Sequence, residues 1–463
     1  MGKNITCRDI NLTRLYWFLL IGLLVVILIN SLKRDFNHDE IGHVHIAWKI
    51  LQGERACVDF FHHSHSFPYY LLAPLIAVLG ENSITLIALR IMIFLVLLLM
   101  LLVTYHLSLK VFSRGTAFIS VLLLSSAQIF VNRAIEIRPD VPQTLFGLLS
   151  LLFLFIYFEK RSLKWLLLSS VSLAIAFLFL QKAIFLIALI GCLLLLNVYK
   201  KHLSYRDFLS YIFAFLLTLA PYCVYLVCSG SLSSYFTFNW VLNTKFVRRF
   251  TPFDAIGFAL QTSTLLCVFY VWGLLKFCKR PNQARIGWLS LGLLASTFMV
   301  AGPYKQYFMP ALPLVAIIAA NAVWQLFATR VKWLVVVLML STLPPAFFLI
   351  DRLKENNAAQ IEKINYVLSI TGPQDFVYDG NANFNVFRKD VDFFWFSLRP
   401  RVGGLAAYKT IAQYEYNIYK SIEKNRPKLI SNYQIEDMQH EAIAGYYVQS
   451  DKFENLFIRK NDL

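Results

Sequence analysis

Apolar blocks separated by short polar stretches fill most of the first 350 positions. About 20 consecutive apolar residues cross a bilayer as a helix. Eleven blocks come close to that length: 15–31, 83–107, 116–132, 141–158, 165–181, 183–199, 208–228, 255–275, 286–301, 307–327 and 333–350. One further stretch, "FPYYLLAPLIAVLG" (Phe67–Gly80), is shorter and carries Pro68 and Pro74. A run of that length is more often interfacial or re-entrant, so it is assigned to a long first outer loop over 32–82, lying along the membrane. After Ile350 the pattern turns polar, with alternating segments such as "DFVYDG" and "YYVQSDKFENLFIRK" and a helical "AAQIEKINYVLSI". Residues 351–463 therefore read as a small α/β domain.

The loops test this count. With the N-terminus in the cytoplasm, the inner loops carry Lys110 and Arg114, then Lys160, Arg161 and Lys164, then Lys200, Lys201 and Arg206. The last two carry Lys276, Lys279, Arg280 and Arg285, and finally Arg330 and Lys332. Each is basic, as cytoplasmic loops are. Counting Phe67–Gly80 as a span would put every later cluster outside. Lys3, Arg8 and Arg14 precede the first block, but no small-residue cleavage site follows it, so it is read as a retained span.

Composition agrees with the pattern. The chain is 58% hydrophobic with 40 Phe and only 15% charged, against roughly 25% charged in soluble domains. The net charge of +17 sits in short clusters between apolar blocks, with no basic stripe for nucleic acid. The seven cysteines form no CxxC pair and lie mostly in or beside apolar runs, where they act as small hydrophobes.

The first outer loop gathers six of the nine histidines with Asp39, Glu40, Glu54 and Asp59. The same topology brings Arg133, Glu136, Arg138 and Asp140 of "NRAIEIRPD" to that side. Lys182 between the fifth and sixth spans joins them, with Lys305 and Tyr307 at the start of the tenth. Structural roles compete for each. Asp39 and Asp140 both stand where a helix N-terminus favours an acid, and Lys182 and Lys305 have the option of snorkelling to the interface. The histidines match no closed zinc pattern, although a divalent metal stays open. His63 and His65 are read as phosphate contacts at the interface.

"HDEIGHVHIAWKILQGE" followed by "VDFFHHSHSFPYYLLAPL" resembles the first outer loop of the GT-C glycosyltransferases. The likeness is to the branch with the protein O-mannosyltransferases and the lipid A aminoarabinose transferase (glycosyltransferase family 39-like). "RAIEIRPDVPQTLF" and "YKQYFMPALPLVAIIAA" resemble two later segments of that branch, and together the three cover most of 15–330. The resemblance implies a polytopic all-α membrane protein of GT-C type, with about eleven transmembrane helices over 1–350 and an extracytoplasmic α/β domain over 351–463. It also implies an inverting transfer from a polyprenyl-phosphate sugar on the periplasmic side of the inner membrane. Asp39, with Glu40 beside it, then resembles the catalytic base and Asp140 the second acid. The aminoarabinose transferases carry a Lys-Pro-Pro stretch in the late first loop, where this chain has "HHSHSFPYY" without a lysine. Phosphate contact then passes to His63 or His65, Lys182 and Lys305, with Arg138 and Tyr307 beside them.

The chemistry is consistent with these residue types. A sugar leaving a phosphate needs cations and donors around the departing oxygens more than an acid, and the acceptor needs one base in reach. A glycosidase would need two paired carboxylates, and adjacent helical residues such as Asp39 and Glu40 point apart. The acceptor (lipid A or lipopolysaccharide, another envelope glycan, or a protein) is not readable from sequence. A transporter or flippase of a lipid-linked glycan is the rival from another class, although no internal repeat is visible. A ligase using a polyprenyl-diphosphate carrier is the second alternative.

Overall fold

Each apolar block is helical in the structure, a computed structural model that describes residues 7–246, 251–300, 304–399 and 403–460. Lys3, the residue at the end of the ninth block and the start of "AGPYKQYF" lie outside these. The first span is α1 (Cys7–Lys33), and the outer loop that follows holds α2 (His38–Leu51) and α3 (Phe67–Leu79). Then come α4 (Ser83–Val111), the pair α5 (Arg114–Ser126) and α6 (Gln128–Ala134), α7 (Asp140–Lys160), α8 (Leu163–Phe179), α9 (Ile184–Tyr199) and α10 (Tyr205–Cys228). A short α11 (Leu232–Phe236) leads to α12 (Pro252–Thr262), α13 (Thr264–Phe277), α14 (Pro281–Ser296), α15 (Leu312–Phe327) and α16 (Val331–Asp351).

Two of the eleven blocks depart from a straight span. The third bends by 71° between α5 and α6, where Ala127 is extended, and the eighth bends by 107° at Ser263 between α12 and α13. Six helices among the described residues are long and apolar enough to cross a membrane alone, or eight if each bent pair is one span. The other three blocks form α8, α14 and α15, of 16 or 17 residues. At 1.5 Å per residue such a helix spans about 24 Å, short of a hydrocarbon core of about 30 Å. Short 3₁₀ turns, Thr297–Met299 after α14 and Lys305–Phe308 ahead of α15, carry two of these segments further. Pro310 and Pro313 account for the late start of α15 at Leu312, because proline fits the first turn of a helix and not its interior.

The C-terminal residues begin with α17 (Ala358–Ile370), the helix expected from "AAQIEKINYVLSI". They form a four-stranded sheet of β1 (Val377–Tyr378), β2 (Leu429–Ser431), β3 (Tyr447–Gln449) and β4 (Leu456–Arg459), in the order β1-β2-β4-β3. The β1–β2 pair is parallel and the other two pairs are antiparallel.

This sheet unit is bolted to the first outer loop. Gln360 clasps the backbone of Phe36 in both directions, at 2.7 and 3.0 Å. Asp390 accepts from Lys49 at 2.7 Å and contacts His45 Nε2 at 2.8 Å, while His45 Nδ1 meets the Val386 carbonyl. Phe61 N–H donates to Phe393 O, and Trp395 Nε1–H donates to Phe61 O. With His45, Lys49 and Asp390 almost wholly buried, the loop that carries the candidate base is held from two sides.

Candidate active site

The site is built where α2, the α6–α7 link, the α8–α9 turn and the turn before α15 meet. Asn37 caps α2, accepting from Asp39 N–H, while Glu40 reaches back to Asn37 N–H to complete a capping box. Asp39 and Glu40 are neighbours on this first turn but face different surroundings. Glu40 is buried and takes both arms of Arg90, at 2.8 and 2.7 Å, and the Ile137 N–H. Its oxygens are therefore spent on holding the first loop to α4 and to the strand of chain before α7. Asp39, 36% exposed, keeps an open side and pairs with Arg138 at 2.6 Å.

Arg138 is the centre of the arrangement. It is nearly buried and reaches Asp39, Glu136 at 3.3 Å and Asp140 at 3.4 Å. Asp140 opens α7 and pairs on its other side with Lys182, at 3.6 Å, from the turn between α8 and α9. Lys182 Nζ lies 3.3 Å from the centroid of the Tyr307 ring. Asp39, Arg138, Asp140, Lys182 and Tyr307 thus form one continuous row of alternating charge ending on an aromatic face. Burial alone would raise the Asp39 carboxyl, but Arg138, with His38 and His43, outweighs it and holds the group below the ordinary carboxylate range. Beside Asp39 and its partners, Arg138 stays charged.

A narrow cleft, open to solvent on one side, runs from the Asp140–Lys182–Tyr307 end of this row. Asp140, Gln143, Lys182, Gln306 and Tyr307 supply its polar lining, and Phe185, Leu186, Leu293, Val300 and Pro310 its apolar walls. The buried Gln306 Oε1 has no hydrogen-bond partner among the described residues. The cleft sets one cation, Lys182, among polar groups at one end, with apolar walls beyond.

His63 lies within electrostatic reach of both Asp39 and Lys182, stacked on Phe61, and burial pulls its imidazole down to about 4. Its Nδ1 is buried without a hydrogen-bond partner among the described residues. Two other expected donor-binding residues are not brought to the row. His65 is buried against Phe177 with its Nε2 on the Tyr235 hydroxyl. Lys305 lies over the Phe258 ring at 3.5 Å and lines a wider basin with Arg34, Arg133 and Arg352. The turn that begins at Lys305 sends it and Tyr307 to different sides. Glu136, gripped by Arg34, Arg133 and Arg138, is a site-forming acid that sequence reasoning left among the loop charges. The described residues contain no group of three or more His, Cys, Asp or Glu placed to hold a metal ion.

Comparisons with known proteins bear on the whole arrangement. A family model described as dolichyl-phosphate-mannose-protein mannosyltransferase matches residues 64–227. No curated protein matches at a significant level of sequence similarity. Among solved structures, the chain is similar to ArnT from Cupriavidus metallidurans bound to undecaprenyl phosphate, at 13% identity and a TM-score of 0.70, covering 95% of this chain and 97% of that one. It is also similar to the oligosaccharyltransferase AglB from Archaeoglobus fulgidus in complex with an inhibitory peptide and a dolichol-phosphate, at 12% identity and a TM-score of 0.55, covering 96% and 74%. At these identities the likeness establishes the fold. The resemblance to GT-C glycosyltransferases is borne out, and so is the helical membrane architecture with a small C-terminal sheet.

Proposed function

We propose that this chain is an inverting glycosyltransferase of the membrane, moving a sugar from a polyprenyl-phosphate donor to an acceptor outside the cytoplasm. The observation that carries the reading is the Asp39–Arg138–Asp140–Lys182 row at the polar end of an apolar-walled cleft. The similar structures with undecaprenyl phosphate or dolichol-phosphate support a lipid phosphate as the cleft's ligand. The transporter and flippase reading draws no such support.

In this mechanism Lys182 and Arg138 face the donor's phosphate, and Asp140 holds the two cations apart at a fixed spacing. As the sugar–oxygen bond breaks, charge develops on the departing phosphate oxygen, where preorganised cations lower the barrier most. Asp39 receives the acceptor's proton from the opposite side of the sugar, which inverts the anomeric centre. A carboxylate held down by an arginine is a weak base. An arriving phosphate answers this: its negative charge competes for Arg138 and raises Asp39 toward its ordinary value when the donor is bound. Glu40, Arg90 and Glu136 position these groups without touching the substrate.

We place the N-terminus in the cytoplasm, residues 1–350 as the membrane catalytic unit and 351–463 as an extracytoplasmic domain that braces the first loop. The protein then works from the plasma (inner) membrane, with a glycolipid, envelope glycan or protein as acceptor. The test is mass spectrometry of lipid extracts from a strain lacking the gene. Accumulation of one polyprenyl-monophosphate sugar, with loss of one envelope decoration, supports the reading. A lipid-sugar pool identical to that of the wild type overturns it.

A further inference from the structure

His43 stands one helical turn after Asp39, so the two side chains share a face of α2. Its ring is fixed on one edge. The Tyr69 hydroxyl sits 2.8 Å from His43 Nδ1, and the two rings stack at 5.5 Å. Tyr69 is 1% exposed, and the Ser64 hydroxyl bonds the same phenol. Ser64 in turn lies 2.9 Å from His62 Nε2, and the His62 ring also has the His65 backbone beside it.

These contacts form one chain that fixes the His43 ring through its Nδ1 edge and leaves Nε2 as the nitrogen free to meet a ligand. Burial, with Arg138 nearby, keeps the imidazole neutral, at about 4. Among the described residues nothing takes up Nε2, although Asp39, Arg138, Asp140 and His63 all lie within electrostatic reach. A neutral ring nitrogen is therefore available close to Asp39 and Arg138.

We propose that His43 reads the donor's sugar: its Nε2, held in place by Tyr69, hydrogen-bonds a sugar hydroxyl beside Asp39 and Arg138, and since a hydroxyl both donates and accepts, either tautomer serves. The inference rests on the polyprenyl-phosphate-sugar reading above. A neutral contact suits a hydroxyl, where a further cation would compete for the phosphate.

The experiment measures binding of undecaprenyl phosphate, undecaprenyl-phosphate mannose and undecaprenyl-phosphate glucose to the purified full chain in nanodiscs. In the wild type, one sugar-bearing lipid binds with an affinity set by sugar and phosphate together. In His43→Phe, that affinity relative to bare undecaprenyl phosphate falls about three- to tenfold, the size of one neutral hydrogen bond, while bare-lipid affinity is unchanged. Tyr69→Phe lowers the same ratio, and His43→Gln, which keeps a hydrogen-bonding amide, retains more of it than His43→Phe. Lys182→Ala weakens all the lipids that bind. The inference is overturned if His43→Phe leaves the ratio unchanged or weakens bare and sugar-bearing lipids equally. Failure of the wild type to bind any of the three lipids sinks the functional reading itself.

Discussion

Arg138 is shared by three carboxylates, and burial divides the work among the acids around it. Asp39 keeps an open side, whereas Glu40 is sealed with both oxygens on Arg90. Removing one partner of such a buried pair costs about 3–5 kcal/mol, because the remaining charge is left unpaired. Glu40→Gln therefore lowers the melting temperature of the purified protein sharply, whereas Asp39→Asn, at a partly open position, shifts it little. Equal melting temperatures for the two variants would remove the distinction drawn here between clamp and base. Asp39, Arg138, Asp140, Lys182 and Tyr307 were legible in sequence because topology alone sends them to one side. The separation of Asp39 from Glu40 is legible too, since neighbours on a helix diverge. The fates of Lys305 and His65 were not. Which way a side chain leaves a 3₁₀ turn or an irregular loop depends on packing partners far along the chain, Phe258 for Lys305 and Phe177 and Tyr235 for His65. His43 did carry a readable signal, its four-residue spacing from Asp39.

At the scale of elements, the first outer loop is a store of neutral histidines. Burial lowers His43, His63 and His65 to about 4 and His62 well below its ordinary value. In the unfolded chain the same groups titrate near 6.5. Between those values the unfolded state binds more protons, so stability rises with pH there. It is fully present above about 6.5 and is lost as pH falls toward 4. For buried His65 alone the slope approaches about 1.4 kcal/mol per pH unit. Thermal unfolding in detergent should be flat above neutrality and drop steadily from pH 6.5 to 4.5. A melting temperature unchanged across that window would contradict the burial of the cluster. The clamp from the sheet unit makes a second claim at this scale. Asp390→Ala takes the carboxylate from His45 and leaves Lys49 with Glu54 alone, so hydrogen exchange over α2 should quicken while that of α4 stays slow. Unchanged exchange in α2 would show that the C-terminal residues do not brace it.

For the whole molecule, block counting in the sequence located all eleven apolar segments but not their shapes. The kinks at Ala127 and Ser263 fall in the short polar stretches 125–128 and 261–264, which are too brief to split an apolar block but do mark where it bends. The shortness of α15 was partly visible in its prolines. Topology itself is a prediction. A cysteine placed at His202, between α9 and α10, should resist an impermeant maleimide in intact cells, and one at Lys452 in the C-terminal unit should react. The reverse pattern would invert the molecule and place the charged row in the cytoplasm.

The central claim is that Asp39 is the base of a transfer that consumes a polyprenyl-phosphate sugar. Its most direct measurement is the amount of that lipid in a deletion strain carrying Asp39→Asn, with protein level and melting temperature matched to the wild type. The account predicts that the lipid accumulates as it does in the deletion, because a well-folded protein without its base cannot consume the donor. A variant that clears the lipid as fast as the wild type would remove Asp39 from the chemistry.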